Sequence, residues 1–360
     1  MSIVPQAVLD AAARLLDASH VEQVADLTTS GRSRVVRLRV AGGSSAGAVL
    51  KWGADSAAAN ACLLEFVQDV VPGLCPGLLG ADLDLGFTIQ EDLGPGDSLV
   101  DVLSGDDPVA AEAALVAHAD ALGRLAAATR GRFAEWEELV RRRGAPLTLL
   151  EPSPSAADIL QCWDRVLARL PELGIGGNFG GAEAEFRRAL DILSDATEYA
   201  LSLGDTCPDN NRWDGRTIRL FDVDFCSFRH PLFDAAYYAA PFPTCWFIGA
   251  IPPAVQERTV AAYERWIPID RGSLVLTCCT WTVLNLGWLL EGCIEQDRRL
   301  GPVTLRAMLR WRLASSAASA AALGTIPALA DLFVRLRDAL AARWAEAEPP
   351  TVYAALRGAP

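Results

Sequence analysis

The segment from residue 201 to residue 225, LSLGDTCPDNNRWDGRTIRLFDVDF, concentrates oxygen-bearing side chains between short apolar runs. Its acidic and amide residues are Asp205, Asp209, Asp214, Asp222, Asp224, Asn210 and Asn211. Oxygen ligands of this kind suit Mg²⁺, which keeps several waters and binds through one or two carboxylates together with substrate phosphates. A further aspartate can orient and deprotonate an attacking hydroxyl. The segment therefore favours Mg²⁺-dependent chemistry at a phosphate group.

A turn signal at Asp214-Gly215 lies between NRW at 211–213 and TIRL at 217–220 and predicts a β-hairpin with a two-residue turn. Pairing of the two strands brings Asn210 and Asp222 toward each other at the open end of the hairpin. Asp205 lies in the loop that leads into it. We therefore expect these three oxygen-bearing side chains to lie close together through local chain geometry, without contacts between distant parts of the sequence.

The alternative interpretation is a polar surface hairpin that is rich in Asx turns. It explains Asp209 and Asp214 well. It explains Asp222 and Asp224 poorly, because both lie in the apolar context IRLFDVDF.

The elements that must position these residues fall into two regions. In the first, from Val21 to about Leu103, three runs with strand character are separated by one helical stretch that Pro72 and Gly73 end. After Gly94-Pro95-Gly96 the pattern becomes mostly helical. The strand-like runs are 35–40, 46–52 and 86–93, and the later helical patterns, after one that begins at Pro108, are 156–170, 182–200, 252–266, 273–296, 302–322 and 325–347.

Composition excludes several classes of protein. The formal net charge of −13 disfavours nucleic acid as a partner, because phosphate binding relies on clusters of Lys and Arg.

Nine scattered cysteines, never spaced C-x-x-C, favour a reducing cytosol over a disulfide framework or a zinc site. No leader pattern opens the sequence. Polar residues interrupt the apolar run 273–290, which predicts a buried core helix rather than a membrane span. We therefore expect a cytoplasmic protein without a membrane partner.

The run from Gly204 to Asn210, GDTCPDN, followed by LFDVD at 220–224, resembles the catalytic and metal-binding motifs of the aminoglycoside phosphotransferase and choline kinase superfamily, which is related to protein kinases. That pattern is H-G-D-x-x-x-x-N, then about a dozen residues, and then two hydrophobic residues followed by D-x-E/D. The resemblance implies that Asp205 is the catalytic base, that Asn210 and Asp222 are Mg²⁺ ligands, and that Asp224 is a supporting carboxylate.

Two neighbouring positions bear on this resemblance. Asp234, in PLFDAA, resembles the aspartate of the P-x-x-D-L-A segment, which implies that it supports the catalytic loop from behind. Leu203 occupies the place of the motif's histidine. In this superfamily that histidine chiefly supports the loop, so leucine can replace its hydrogen bonding with packing.

The N-terminal region resembles the nucleotide-binding lobe of the same superfamily. Lys51 in AVLKW resembles the strand lysine that holds the α- and β-phosphates. A lysine that positions a phosphate needs a fixed carboxylate partner. Glu65 in the helical stretch ACLLEFV is the favoured partner, and Glu22 and Glu91 are the alternatives.

Two further segments complete the implied nucleotide site. TIQEDL at 88–93 resembles the hinge, where main-chain groups of Glu91 and Leu93 would bind adenine. TTSGRS at 28–33, which includes Ser30, Gly31 and Ser33, occupies the place of the phosphate-covering loop.

The resemblance implies an α+β, bilobal, protein-kinase-like fold with a small β-rich N-terminal lobe (1–93), a hinge or linker (94–103) and a larger helical lobe (104–360). It implies transfer of the γ-phosphoryl group of ATP or GTP to a hydroxyl of a small molecule, with Mg²⁺ as cofactor. A kinase acting on Ser or Thr of a peptide and a silent pseudokinase are the alternatives. Retention of the lysine, the base and both metal ligands argues against the pseudokinase.

The acceptor is the least defined partner. In this superfamily its contacts come from the C-terminal helices, here Trp246, Trp281, Trp288, Glu291 and Glu295, which are equally compatible with core packing. The chain has 45 acidic and 32 basic residues, and Glu291 and Glu295 lie one helical turn apart. These features favour an amine-bearing acceptor. The competing interpretation is an ordinary solvated helix end that Arg298 and Arg299 neutralise.

Overall fold

The computed structural model describes residues 4–29, 33–43, 47–222 and 225–358, without the side chains of 54–56. A five-stranded antiparallel sheet with two helices forms the N-terminal part, and the C-terminal part is mostly helical. This is the α+β layout that the sequence predicts. The segment predicted as a linker, 94–103, contains the first residues of a helix that begins at Leu99.

The N-terminal part consists of five strands and two helices. They are α1 (Gln6–Leu15), β1 (His20–Asp26), β2 (Arg34–Ala41), β3 (Gly47–Trp52), α2 (Ala54–Val70), β4 (Leu78–Asp82) and β5 (Phe87–Glu91). The sheet order is β1-β2-β3-β5-β4, which places β3 at the centre. Buried residues alternate along β2, where Val36 and Leu38 belong to the same core as Val8 and Ala12 of α1.

The C-terminal elements build a larger core of packed helices. They are α3 (Leu99–Ser104), α4 (Pro108–Thr129), α5 (Phe133–Arg142), α6 (Ala156–Arg169), α7 (Gly180–Leu193), β6 (Ala200–Ser202), β7 (Asn211–Trp213), β8 (Ile218–Leu220), β9 (Ser227–Arg229), α8 (Leu232–Ala239), α9 (Pro253–Glu264), α10 (Arg271–Glu295), β10 (Arg299–Leu300), β11 (Val303–Thr304), α11 (Leu305–Leu323) and α12 (Pro327–Arg343). Three short antiparallel pairs lie among these helices: β6 with β9, β7 with β8, and β10 with β11.

Helix α10 is the apolar run for which the sequence predicts core burial. By length and composition it could cross a membrane, but 67% of its most apolar window is buried inside the fold. It packs on α6, α8 and α11. Asp270 caps its first turn by accepting a hydrogen bond from the Ser273 main chain at 2.7 Å. The burial supports the core-helix interpretation.

Candidate active site

A cleft of about 490 Å³ lies between the five-stranded sheet and the helical part, and both contribute to its walls. Such a volume is within the ordinary range of small-molecule sites. Five of the predicted site residues line it: Lys51, Glu91, Leu93, Asn210 and Asp222.

Lys51 and Asp222 meet across this cleft. Lys51 lies on the central strand β3, and its Nζ is 2.7 Å from Oδ1 of Asp222. The lysine side chain is 8% exposed and the aspartate side chain 43%. Asp222 follows β8 with φ of +60°, a left-handed conformation that aspartate tolerates better than most residues. The candidate phosphate-binding cation and the candidate metal ligand thus form an ion pair.

Glu65 does not pair with Lys51. Its carboxylate accepts hydrogen bonds from Nη2 of Arg142 at 2.8 Å and from Nε of Arg143 at 2.7 Å. The structure therefore contradicts the predicted Lys51–Glu65 pair, because two arginines at the C-terminal end of α5 compete for this carboxylate. The alternative partners are also engaged elsewhere, Glu22 with Arg39 and Glu91 with a different arginine.

Asn60 is the residue of α2 that sequence reasoning missed. It is 2% exposed and lines the same cleft as Lys51. A single amide within the run AAANAC was the available signal, because a polar side chain in an otherwise apolar helix needs a specific partner or site.

The turn before Asp205 requires glycine. Gly204 has φ of +79°, and a Cβ built on it would lie 2.0 Å from the carbonyl oxygen of Phe225. No other residue fits such a close approach of two backbone segments. The Leu203 side chain, in place of the motif's histidine, is 2% exposed and belongs to the main core.

The hairpin that carries the candidate metal ligands forms largely as predicted. In β7 and β8, Asn211 pairs with Leu220, and Trp213 pairs with Ile218. The loop between the paired strands has four residues, 214–217, rather than the predicted two, because Asp214 Oδ1 accepts hydrogen bonds from the main chains of residues 216 and 217. The main chain continues the pairing from the Phe221 N–H to the Asn210 carbonyl, at 3.0 Å.

Asn210 also contacts the loop that bears the candidate base. Its Nδ2 donates to the carbonyl oxygen of Asp205 at 3.0 Å. The amide nitrogen is therefore engaged with protein, and the amide oxygen is the atom that suits a hard cation.

Asp234 lies beneath this loop in a buried ion pair. Its Oδ1 accepts hydrogen bonds from Nη2 of Arg229 at 2.6 Å and from Oγ of Ser202 at 2.8 Å. Ser202 Oγ accepts from the Gly204 main chain at 3.1 Å, and Arg229 donates to the Gly204 carbonyl at 3.4 Å. Asp234 is thus connected to the turn before Asp205 through one intervening side chain, either Ser202 or Arg229, and its supporting role stays a prediction.

The carboxylate of Asp205 lies beside Thr244. Thr244 Oγ1 is 3.4 Å from Asp205 Oδ1 and 2.6 Å from the hydroxyl of Tyr237. Burial raises the pKa of Tyr237, so its phenol stays protonated and donates hydrogen bonds at neutral pH. A short polar chain therefore connects the candidate base to α8.

A disulfide joins the loop that follows Asp205 to the segment after α8. It links Cys207 to Cys245, with Cα atoms 5.4 Å apart. Next to it, Trp246 Nε1 donates to Asp209 Oδ2 at 2.8 Å. The expectation of unpaired cysteines is corrected by this pair, because partners 38 residues apart meet only in the fold. The other seven cysteines of the described chain are buried and form no disulfide.

The predicted hinge lines the far end of the cleft. The Glu91 carboxylate accepts from Nη1 of Arg219 at 2.8 Å, which lowers the pKa of Glu91 and ties β5 to β8. The Glu91 N–H donates to the carbonyl of Gly77 at 2.9 Å. Within the described ranges, the Leu93 N–H has no hydrogen-bond partner. These contacts leave the Leu93 main chain available to a ligand.

The predicted phosphate-covering loop is described only at its ends. Thr28 and Thr29 line the cleft, whereas Ser33 is 7% exposed and is not among the lining residues. Ser30, Gly31 and also Asp224 lie outside the described residues.

No protein-family model and no curated protein matches the chain. Solved structures do match it along most of its length. A putative aminoglycoside phosphotransferase from Ralstonia eutropha JMP134 is 12% identical, with a TM-score of 0.52 over 92% of this chain and 98% of the other. A choline kinase from Cryptosporidium parvum Iowa II is 10% identical, with a TM-score of 0.52 over 93% and 99%. These similarities confirm the predicted bilobal, kinase-like fold.

Proposed function

We propose that this protein is a Mg²⁺-dependent phosphotransferase that moves the γ-phosphoryl group of ATP or GTP to a hydroxyl of a small molecule. The observation that carries the proposal is that Lys51, from the sheet, and Asn210 and Asp222, from the helical part, line one cleft. Phosphoryl transfer depends mainly on positioning and charge neutralisation, which needs groups from both walls. The kinases and phosphotransferases that share the fold support the same class of reaction.

The cleft residues have separate roles in this proposal. Leu93 binds the base of the nucleotide through its main chain, and Lys51 holds the phosphates. Asn210 and Asp222 fit a hard cation, because the amide oxygen and a half-exposed carboxylate are its preferred donors. Mg²⁺ bound there would neutralise charge on the phosphate oxygens.

Asp205 accepts the proton of the attacking hydroxyl. Its carboxylate faces Thr244, and its loop is fixed by the glycine turn and by the disulfide. A fixed carboxylate within hydrogen-bond reach of a hydroxyl is the geometry that general base catalysis requires.

Calorimetric titration with ATP and with GTP, each with and without Mg²⁺, tests nucleotide binding. A nucleotide-consumption screen against sugars, nucleosides, amino alcohols, hydroxy acids and antibiotics, with products identified by mass, tests transfer. We expect Mg²⁺-dependent binding and a phosphorylated product. No binding at millimolar nucleotide would contradict the proposal.

A further inference from the structure

A second cavity, of about 390 Å³, lies beside the catalytic loop. Thr244 and Cys245 form part of its lining. Thr244 Oγ1 is 3.4 Å from Asp205 Oδ1, and Cys245 is bonded to the loop that follows Asp205. Thr244 therefore borders both this cavity and the candidate base.

The opposite wall is largely apolar. Trp288 and Leu289 of α10 and Met308 of α11 line it. Trp288 is 47% exposed, although a side chain of its size is usually buried. An exposed tryptophan at a cavity offers a flat surface for an apolar or aromatic ligand body.

Two adjacent cations complete the cavity, Arg298 and Arg299. In the described part of the chain neither forms an ion pair, and the described side-chain hydrogen bond of Arg299 is a long one, 3.4 Å to the carbonyl of Pro302. No carboxylate is among the described residues that line it. The described side chains that line the cavity therefore include two cations and no anion, despite the negative net charge of the chain.

Two nearby acids, Glu291 and Asp297, have partners outside this cavity. Glu291 pairs with Arg169 on another side of α10, where both line a different cavity. Asp297 accepts a hydrogen bond from the main chain of Arg306 at 3.1 Å. The feature that favours an amine-bearing acceptor, a carboxylate pair on α10 facing the site, is thus not present among the described lining residues of this cavity.

The β10–β11 hairpin, which carries Arg299, packs closely on Trp246, next to the disulfide. At its tip Gly301 has φ of +59°, and a Cβ there would lie 2.4 Å from the carbonyl oxygen of Trp246. Trp246 in turn bonds Asp209 of the catalytic loop. This close packing holds the backbone next to the two arginines at a set place near the base, which a solvated surface hairpin would not require.

We propose that the acceptor carries an anionic group, a carboxylate or a phosphate, which Arg298 and Arg299 bind while Trp288 contacts its apolar body. Guanidinium groups bind both anions through paired, charge-assisted hydrogen bonds. This inference rests on the proposed phosphotransfer and specifies the class of its acceptor.

The test uses pools of hydroxyl compounds that share size and apolar body but differ in one group: carboxylate, phosphate, carboxamide or amine. An example set is 3-phenyllactate, its amide and 1-amino-3-phenylpropan-2-ol, which keep the hydroxyl on the same carbon. Nucleotide consumption and product mass identify the acceptor, and the carboxylate and phosphate pools distinguish the two anions. We expect products from an anionic pool, with KM raised about tenfold or more in Arg298→Gln and in Arg299→Gln, because each loses a charged hydrogen bond. Arg→Lys at the same positions should recover part of the KM.

Arg14→Gln is the matched control, because Arg14 is exposed on α1, far along the chain from both cavities, and should leave KM unchanged. Products from the neutral or amine pools alone, or a KM for the anionic acceptor that neither Gln variant changes, would overturn the inference. No product from any pool while nucleotide still binds would also overturn it. Loss of nucleotide binding would instead contradict the proposed function.

Discussion

The ammonium of Lys51 lies 2.7 Å from the carboxylate of Asp222, although β3 and the segment after β8 are 171 residues apart in the chain. The pair closes the cleft between the sheet and the helical part at one point. Because the lysine is almost buried, its charge has little access to water, and the aspartate neutralises it. A bound nucleotide and cation would have to replace this contact with contacts to phosphate and to metal.

Asp222→Asn should separate metal-dependent from metal-independent binding. The carboxamide is a weaker ligand for Mg²⁺, so we expect nucleotide affinity with Mg²⁺ to fall about tenfold or more, equivalent to about 1.4 kcal/mol. Affinity without Mg²⁺ should change much less. Calorimetry under both conditions measures this difference, and equal losses with and without Mg²⁺ would show that Asp222 is not a metal ligand.

Asp205→Asn should reduce kcat by about 10² to 10⁴, because the amide cannot accept the hydroxyl proton. Nucleotide affinity should change little, since Asp205 is not among the residues that line the nucleotide cleft. Steady-state kinetics and calorimetry on the same preparation check both statements. Leu203→His is the comparison variant and should change kcat far less, because Leu203 packs in the core. Similar small effects of both substitutions would remove Asp205 from the base role.

Gly204→Ala should destabilise the protein and reduce activity. The added methyl meets the Phe225 carbonyl oxygen at 2.0 Å, so the backbone next to Asp205 must move. Gly131→Ala is a matched control, because Gly131 has φ of +77° and nothing lies within 4 Å of the place that its Cβ would take. Both variants share the backbone strain, and Gly204→Ala should lose about 1 to 3 kcal/mol more of unfolding free energy. Equal losses in denaturant unfolding would mean that the close approach is unimportant.

Asp234→Asn should break the buried ion pair with Arg229. Both side chains are 3% exposed, and removal of one charge leaves the other without compensation. We expect a loss of about 3 to 5 kcal/mol of unfolding free energy. Glu183→Gln, which removes an exposed i,i+4 pair with Arg187, should lose about 0.5 kcal/mol or less. A loss at Asp234 as small as that at Glu183 would contradict the supporting role.

His118 should make stability depend on pH. Burial lowers the pKa of His118 from its ordinary 6.5 to about 4, and its Nδ1 lies 2.8 Å from the hydroxyl of Tyr238. Between pH 6.5 and pH 4, His118 binds a proton in the unfolded chain but not in the folded protein, so the free energy of unfolding falls as pH decreases. From pH 6.5 to pH 5 the loss is about 1.6 kcal/mol, because the unfolded histidine is already half protonated at pH 6.5. His118→Gln should remove this component, which paired denaturant titrations at the two pH values measure. The same pH dependence in both proteins would assign the effect to other groups.

Local sequence predicts the parts of the site that depend on neighbours in the chain. Asn210 and Asp222 converge because a short hairpin joins them, and its Asp-Gly turn signal can be recognised in the sequence. The strand that carries Lys51 is equally legible. Central strands are buried on both faces and therefore rich in apolar residues, which makes them easier to identify than edge strands.

The predictions that fail depend on distant packing. The face of α2 that meets the cleft depends on which distant elements pack on this helix, and the sequence does not show this. The sequence therefore favours Glu65, although in the fold Arg142 and Arg143 bind its carboxylate. It gives little indication of Asn60, which lines the cleft. The edge strands β1 and β4 are half exposed, and their pairing is interrupted by register shifts, so they lack the period of a regular strand.

The bond between Cys207 and Cys245 makes a covalent ring of this part of the chain. Asn210, Asp222 and Asp234 all lie inside the ring, so the candidate metal ligands and the buried anion remain tethered to one another even when the protein unfolds. Closing a ring of this length reduces the entropy of the unfolded chain by an amount worth about 4 kcal/mol at 25 °C. The unfolded hairpin and helix α8 therefore sample a restricted set of conformations. Reduction of the disulfide would increase the conformational entropy of the unfolded chain again.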